Sequence, residues 1–429
     1  MNTPVWTWLP GATEPVLAAH VEVDHAGGRF AYDAAYRQRA SARALDPMRL
    51  RFSSSKGPVR LPGGTGLPGV VLDAMPAGYG RDRLQARYER ELTPLELLEH
   101  GAGDAVGAIA VCHDIQTKMA WRPHRLSDLT AQLEQLDDDT PSSRAIRRMN
   151  EDDGTSAGGD RPKVTLEADG ALWLAKLQDR GDAPHLPARE YAVMEMACEL
   201  GINIPRIRLH RHGPHEAFLI QRFDRSGDPQ RPERHLFASA HTVLGLSHNP
   251  LPGDPSRSYL VLADQMRRWI HDPDHLQQDL AQLWKRMAYN ALVGNKDDHT
   301  RNHGLLHKGT GWRLSPAYDI TPLPTFVRAL AMGVLPDGSQ DCSPQSLLQV
   351  CRRFGLEPTD AATWLQGAAT HVANSWEQRL RENGVPDARL RPFEPAFVIA
   401  QDIANDPNML GSIVQGIEQS TARRGRRRP

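Results

Sequence analysis

The stretch from Tyr289 to Asp319, YNALVGNKDDHTRNHGLLHKGTGWRLSPAYD, restricts the fold more than any other part of the chain. It sets a dense polar cluster, Asp297, Asp298, His299, Arg301 and Asn302, between two apolar segments that call for burial. Upstream, Leu276, Leu280, Leu283, Trp284, Met287 and Ala291 recur at three- and four-residue steps, which predicts an amphipathic helix stopping at Gly294-Asn295. Downstream, Gly304-Leu305-Leu306 and Trp312-Arg313-Leu314 flank the turn-forming Lys308-Gly309-Thr310-Gly311, which predicts a hairpin running out into Ser315 to Asp319. The cluster thus begins where a helix ends, and Asp319 lies just past a strand.

An aspartate, an asparagine five residues on and a second aspartate beyond a hairpin form the arrangement that phosphoryl transfer needs. Asp297 fits the carboxylate that takes the proton of the attacking hydroxyl. Asn302 and Asp319 offer the hard oxygen atoms by which magnesium is held against nucleotide phosphates. Two other readings stand beside this one. Asp and Asn satisfy backbone groups in solvated turns, and Asp297, Asp298, His299 and His303 are all ligand types for a transition metal.

The 429 residues leave room for two or three domains and a substantial core. With 51 Lys+Arg against 52 Asp+Glu, no overall field draws the chain to nucleic acid or membrane. Cys112, Cys198, Cys342 and Cys351 show neither metal spacing nor a disulfide framework, which suits thiols in a reducing compartment. No apolar run reaches the roughly 18–20 residues of a membrane span, and no secretory leader pattern opens the sequence, so the expected location is cytoplasmic.

In chain order, residues 1–115 predict a small α+β domain. Val5 to Leu9 and Val16 to Val23 form a hairpin about Pro10-Gly11, Ser53 to Pro68 is loop, and a helix covers about Arg81 to Arg90. The acidic residues 116–153 read as a connector. From 154 to 232 the pattern is a loop of small residues, Gly158-Gly159-Asp160-Arg161-Pro162-Lys163, then strands Val164-Thr165-Leu166 and Leu172 to Leu177 about Asp169-Gly170. A helix from about Ala188 to Leu200 follows, with strands at Pro205–His210 and Ala217–Phe223. Such a loop can turn its N–H groups toward phosphate. Lys176 interrupts an apolar strand and suits either a phosphate contact or a snorkelling surface position, with Glu190 or Glu195 as possible partners. Residues 233–415 predict a chiefly helical unit apart from the hairpin of the polar cluster. Residues 416–429 end in Arg423, Arg424, Arg426, Arg427 and Arg428 and read as a basic, solvated tail with the option of nucleic-acid phosphate contact.

Glycine loop, strand lysine, helix, hinge strand, helical unit, Asp-x4-Asn and a later Asp follow the order of parts in a bilobal kinase. In wording, Gly294 to His303, Leu314 to Asp319, Gly158 to Lys163 and Ile220 to Arg225 resemble the HipA-like serine/threonine kinases, toxins of type II toxin–antitoxin modules. Phe30 to Asp33 and Leu67 to Arg81 look like that family's accessory domain, so the resemblance spans nearly the whole chain. It implies an α+β fold with a small N-terminal α+β accessory domain, a kinase N-lobe and a mainly helical C-lobe.

Carried over residue by residue, the resemblance implies Asp297 as proton acceptor and Asn302 and Asp319 as ligands of Mg2+. Gly158, Gly159, Asp160, Arg161, Pro162 and Lys163 would form the ATP phosphate loop, with Lys176 on the α- and β-phosphates. Gln221, Arg222 and Phe223 would meet adenine through their backbone, with His299 and Tyr318 also at the nucleotide. Ser156 falls where the family has an autophosphorylated serine. Implied partners are a helix-turn-helix, HipB-like antitoxin, operator DNA reached through it, and a protein substrate such as an aminoacyl-tRNA synthetase. Asp160 within the glycine loop and the arginine tail depart from the family pattern. Two other functions use parts of the same evidence. A small-molecule kinase of the aminoglycoside or choline type shares the Asp-x4-Asn logic without requiring the accessory domain. A catalytically weak scaffold would instead strengthen an antitoxin's hold on DNA.

Overall fold

The computed structural model describes residues 2–52, 57–62, 64–137, 139–153, 155–156, 159, 161–247 and 254–425. The chain divides into two compact units, one of Met1–Pro187, Pro205–Pro250 and Gly304–Ser315, the other of Ala188–Ile204, Leu251–His303 and Pro316–Pro429.

The first unit opens with β1 (Asn2–Trp8), β2 (Pro15–Asp24), β3 (Gly27–Tyr32), β4 (Val59–Pro62) and β5 (Ile109–Val111), in the sheet order β4-β3-β2-β1-β5. Alternating burial along β1 places Thr3, Val5 and Thr7 on the inward face, as a half-buried strand requires. One correction concerns Ser53 to Pro68. Val59–Pro62 is not loop but an edge strand, pairing Val59 with Phe30 through Pro62 with Gly27. The edge position tolerates Pro62, which has no N–H to give.

A second sheet contains β6 (His124–Arg125), β7 (Lys163–Ala168), β8 (Ala171–Leu177), β9 (Ile207–His212) and β10 (His215–Gln221), ordered β6-β7-β8-β10-β9. The last two strands lie about two residues from their expected positions. Residues 116–153 are more than a connector. Helices Leu126–Leu133 and Ser143–Asp153 carry Leu129, Leu133, Ala145, Ile146 and Met149 into one core with Val164, Leu166, Trp173 and Leu219 of the sheet. Charged outer positions, Asp128 on the first helix and Arg144 and Arg147 on the second, accompany an inner apolar stripe, the ordinary pattern of a helix lying on a sheet.

Further along the same unit come β11 (Arg225–Ser226) paired with β12 (Glu233–Arg234), then β13 (Leu236–Ser239), β14 (Gly304–Lys308) and β15 (Gly311–Leu314), the last three forming one sheet. The expected hairpin at 304–314 is therefore present, and Leu236–Ser239 adds a strand inside the span read as helical.

The second unit is helical. Its longest members are Pro273–Leu292, Pro358–Glu382 and Met409–Gly425, and a shorter one, Leu186–Glu199, begins within the first unit. Pro273–Leu292 is capped by Asp272, whose side chain accepts from the His275 N–H, and starts with Pro at its first position. Its apolar face buries Leu280, Leu283, Trp284, Met287 and Ala291. The C-terminal segment corrects the expectation of a tail, because Met409–Gly425 is a helix with Leu410 and Val414 buried on one side. Arg426, Arg427 and Arg428 lie outside the described residues. Among the described residues no helix is long and apolar enough to cross a membrane.

Candidate active site

The helix Pro273–Leu292 delivers the polar cluster. Gly294 turns the chain with φ +63, and a Cβ there would come within 2.6 Å of the Ala396 carbonyl, so only glycine fits the turn. The Asn295 N–H bonds the Asn290 carbonyl at 2.8 Å, and its side-chain amide donates to Asn290 Oδ1 at 3.1 Å and to the Asp319 carbonyl at 3.5 Å. Asn295 thereby links the helix end to the residue read as a metal ligand.

Within the loop, Asn302 Nδ2 donates to the Asp297 carbonyl at 3.0 Å, and the His299 N–H donates to the same oxygen at 2.8 Å. Asp297 is exposed, whereas Asn302 is buried. Tyr318 anchors the far side, its hydroxyl donating to the Arg301 carbonyl at 2.8 Å, and the Ala317 N–H bonds the Asn203 carbonyl at 2.7 Å. Asp319 itself adopts φ +61, a left-handed conformation costly for a residue with a side chain. Strain of that kind persists where surrounding bonds fix it, here those of Asn295, Tyr318 and Ala317.

Asp298 and His303 belong to a different arrangement. His303 Nε2 lies 2.9 Å from Asp298, the Tyr259 hydroxyl bonds the same carboxylate, and all three side chains are buried. They form a structural knot under the loop. Among the described residues no group of three or more His, Cys, Asp or Glu side chains is arranged to hold a metal, so the transition-metal alternative finds no support in the geometry.

In the first unit, Lys163 and Lys176 stand directly opposite each other on β7 and β8. Directly opposed residues point to one face, so both side chains lie on the same side of the sheet. Lys176 Nζ also lies 5.7 Å from the Phe218 ring centroid. Gly159 has φ +107, and a Cβ there would fall 2.0 Å from Lys163 Nζ, so the glycine makes room for that lysine. Arg161 is held by Asp182 at 2.9 Å. Gly158 and Asp160 lie outside the described residues.

The Gln221 N–H is spent on the Arg206 carbonyl and the Arg222 N–H on the Leu172 carbonyl, each at 2.8 Å. Any adenine contact from these two residues therefore falls to their carbonyls. The Arg222 side chain is structural, bonding Asp224 at 2.8 Å and the Asp104 carbonyl at 2.6 Å. Glu195 is engaged by Tyr191 at 3.3 Å and Arg379 at 3.5 Å within its own unit.

Ser156 is buried, its hydroxyl donating to the Ala102 carbonyl at 3.0 Å. Asp104 accepts the Ser156 N–H at 2.6 Å, the Thr155 hydroxyl at 2.8 Å and the Thr165 hydroxyl at 3.1 Å. The pattern of residues around Asp104 gives no hint of this role, since its partners come from more than 50 residues away.

This architecture is the α+β fold of a kinase-like class. It aligns with the Shewanella oneidensis HipA structure solved with HipB and its operator DNA, at TM-score 0.66 and 17% identity, covering 93% of this chain and 97% of that one. Residues 155–376, more than half of the chain, match the HipA-like C-terminal domain, and the chain belongs to the HipA-like family. In sequence it is 26% identical over 207 residues to the serine/threonine-protein kinase toxin HipA of Shewanella oneidensis, covering 42% of this chain and 46% of that protein. The chain thus spans about half the length of the curated relatives it matches.

Proposed function

We propose that this chain is an ATP- and magnesium-dependent serine/threonine protein kinase, the toxin of a type II toxin–antitoxin pair. The observation that carries the reading is the Asn302 to Asp297 bond. By committing Nδ2 to a backbone carbonyl, it leaves Oδ1 as the acceptor end of the amide, a hard oxygen of the kind magnesium accepts. Asp319, held in a strained conformation, offers the second oxygen ligand, and the exposed Asp297 carboxylate is the proton acceptor. Magnesium would supply charge neutralisation at the nucleotide phosphates. Lys163 and Lys176, opposed on one face, would take phosphate oxygens, with Gly158 to Pro162 as the loop over them. His299 and Tyr318 would border the nucleotide, and Gln221, Arg222 and Phe223 its base.

The protein substrate belongs to the translation machinery in this reading, with an aminoacyl-tRNA synthetase as the first candidate. A HipB-like antitoxin and its operator DNA are the proposed partners, supported by the assembly in which the Shewanella protein was solved. Ser156 is the proposed autophosphorylation site. Its hydroxyl is committed to Ala102 in this conformation, so the 155–156 segment has to leave Asp104 before it can react.

The test is transfer of labelled γ-phosphate from Mg-ATP to the protein itself and to a bacterial lysate, with Asp297→Asn as control. A kinase labels Ser156 and a lysate protein, and the variant is slower by orders of magnitude. No transfer from either protein while ATP still binds would replace this reading with that of a scaffold acting beside a DNA-binding antitoxin.

A further inference from the structure

The first unit contains a charged cleft that shares with the proposed phosphotransfer only Arg222, whose backbone, not its side chain, is assigned to the nucleotide. Its cavity is about 30 Å³, open to solvent on one side, and its walls include Trp8, Asp104, Lys118, Arg222, Arg225 and Arg234. Three of the four cations are satisfied by the protein. Lys118 Nζ donates to the carbonyls of Leu98 at 2.9 Å and Glu99 at 2.8 Å and also to that of Gly101. Arg222 and Arg225 each bond the Asp224 carboxylate at 2.8 Å, and Arg225 also bonds the Gly107 carbonyl at 2.8 Å.

Arg234 differs. It is only 7% exposed, its guanidinium lies 3.8 Å from the Trp8 ring centroid, and among the described residues it makes no side-chain hydrogen bond or ion pair. Its Nε is fully buried without an acceptor. A buried guanidinium with an unmet donor is unfavourable, and an acceptor reaching its outer nitrogens would offset part of that burial. Trp8 covers one face of the planar group, so an incoming acceptor is directed to its donor edge, which suits two parallel bonds to an oxyanion.

Charge decides the class of ligand. Four buried cations line or border the cleft against two carboxylates, Asp104 and Asp224. With Glu99 on the Lys118 side as a third carboxylate, one positive charge remains in excess. Burial depresses Lys118 to about 8 and, with repulsion from Arg222 second, Arg234 to about 10. Arg231 at the mouth is already paired with Glu14.

We infer that this cleft is a binding site for a phosphate-class dianion, with Arg234 as its principal donor and Trp8 as the plate that orients it. The site is distinct from the opposed Lys163 and Lys176 pair and does not depend on the kinase reading. Free phosphate and a phosphomonoester share the chemistry that Arg234 would recognise.

The experiment is a titration of the full chain with inorganic phosphate at constant ionic strength, followed by calorimetry and by the thermal midpoint. Acetate and phosphoserine are run in parallel, on wild type, Arg234→Met, Arg234→Lys and Lys176→Met. Expected is saturable one-to-one phosphate binding, at least tenfold tighter than acetate, lost at least tenfold in Arg234→Met and retained in Lys176→Met. Arg234→Lys keeps the charge without the fork and should weaken phosphate about fivefold or more, which preserves the test if the methionine variant does not fold. Tighter binding of phosphoserine than of phosphate would name a monoester as the ligand within the same proposal. Absence of saturable binding to wild type, or binding lost in Lys176→Met and kept in both Arg234 variants, overturns it.

Discussion

Asn302 Nδ2 and the Asp297 carbonyl oxygen are 3.0 Å apart, and that bond fixes the orientation of the amide and assigns Oδ1 as its acceptor end. One side chain thus holds the loop backbone of the proposed base and presents a metal-type oxygen. In Asn302→Ala both roles end. The lost hydrogen bond should cost about 1 kcal/mol of stability. Phosphotransfer should fall by about two orders of magnitude or more, with a higher half-saturating magnesium concentration. A magnesium titration of γ-phosphate transfer checks it, and an unchanged magnesium requirement would remove Asn302 from the ligand set.

Asp104 predicts how the Ser156 segment is held. Its carboxylate accepts from the Thr155 hydroxyl, the Ser156 N–H and the Thr165 hydroxyl, and Asp104→Ala leaves those donors unmet. Stability should drop by about 2–4 kcal/mol. Amide exchange at residues 155 and 156 should quicken beyond the global change, and Ser156 should label faster with Mg-ATP. Exchange measured by mass spectrometry together with site-resolved labelling checks both halves. Slower labelling at faster exchange would show that Asp104 assists the reaction instead of restraining it.

The parts legible in the sequence are those whose partners lie close by in the chain. The helix Pro273–Leu292, the turn at Gly294 and the 304–314 hairpin all follow from local periodicity and turn chemistry. The strand Val59–Pro62 escaped notice because four residues among Gly, Pro and Ser carry too little pattern, and only pairing with β3 makes them a strand. Helical spacing shows within 122–153, but the seating of 126–133 and 143–153 on the sheet rests on partners such as Trp173 and Leu219 that come later in the chain. Arg222, Asp224 and Arg225 lie in the Ile220 to Arg225 stretch that carries the family resemblance, yet their side chains bond residues 104, 105 and 107, more than 100 positions away. Charged groups satisfied at that range leave no local spacing to read. Arg234 is the extreme case, since its defining property is an acceptor that the described residues do not provide.

Asp298 and His303 predict an absence of metal response. Tyr259 and His303 both bond the Asp298 carboxylate beneath the loop, in a buried site. Asp298→Ala should cost about 3 kcal/mol, because two buried donors lose one acceptor. A chelator or added zinc should leave the thermal midpoint of wild type unchanged in the absence of nucleotide. A zinc-dependent rise that Asp298→Ala abolishes would revive the transition-metal reading.

The pairing of Arg43 with His307 gives the first unit a defined response to acid. Arg43 Nη1 lies 2.9 Å from His307 Nδ1, and since a guanidinium can only donate, Nδ1 has to be unprotonated. Burial, with the Arg43 charge second, depresses His307 from 6.5 to about 4. The unfolded chain therefore takes up a proton near pH 6.5 that the folded chain refuses until about pH 4. The contribution is intact above pH 6.5 and erodes as pH falls between those two values, below which it is constant. Because the ring is partly exposed, about 2 kcal/mol is the expected size of that loss. Urea midpoints at pH 7.5 and pH 4.5 for wild type and His307→Asn test the sign. Wild type should lose about 2 kcal/mol more than the variant over that interval. An equal loss in both would place the acid sensitivity elsewhere and leave Arg43 and His307 as a pH-indifferent contact.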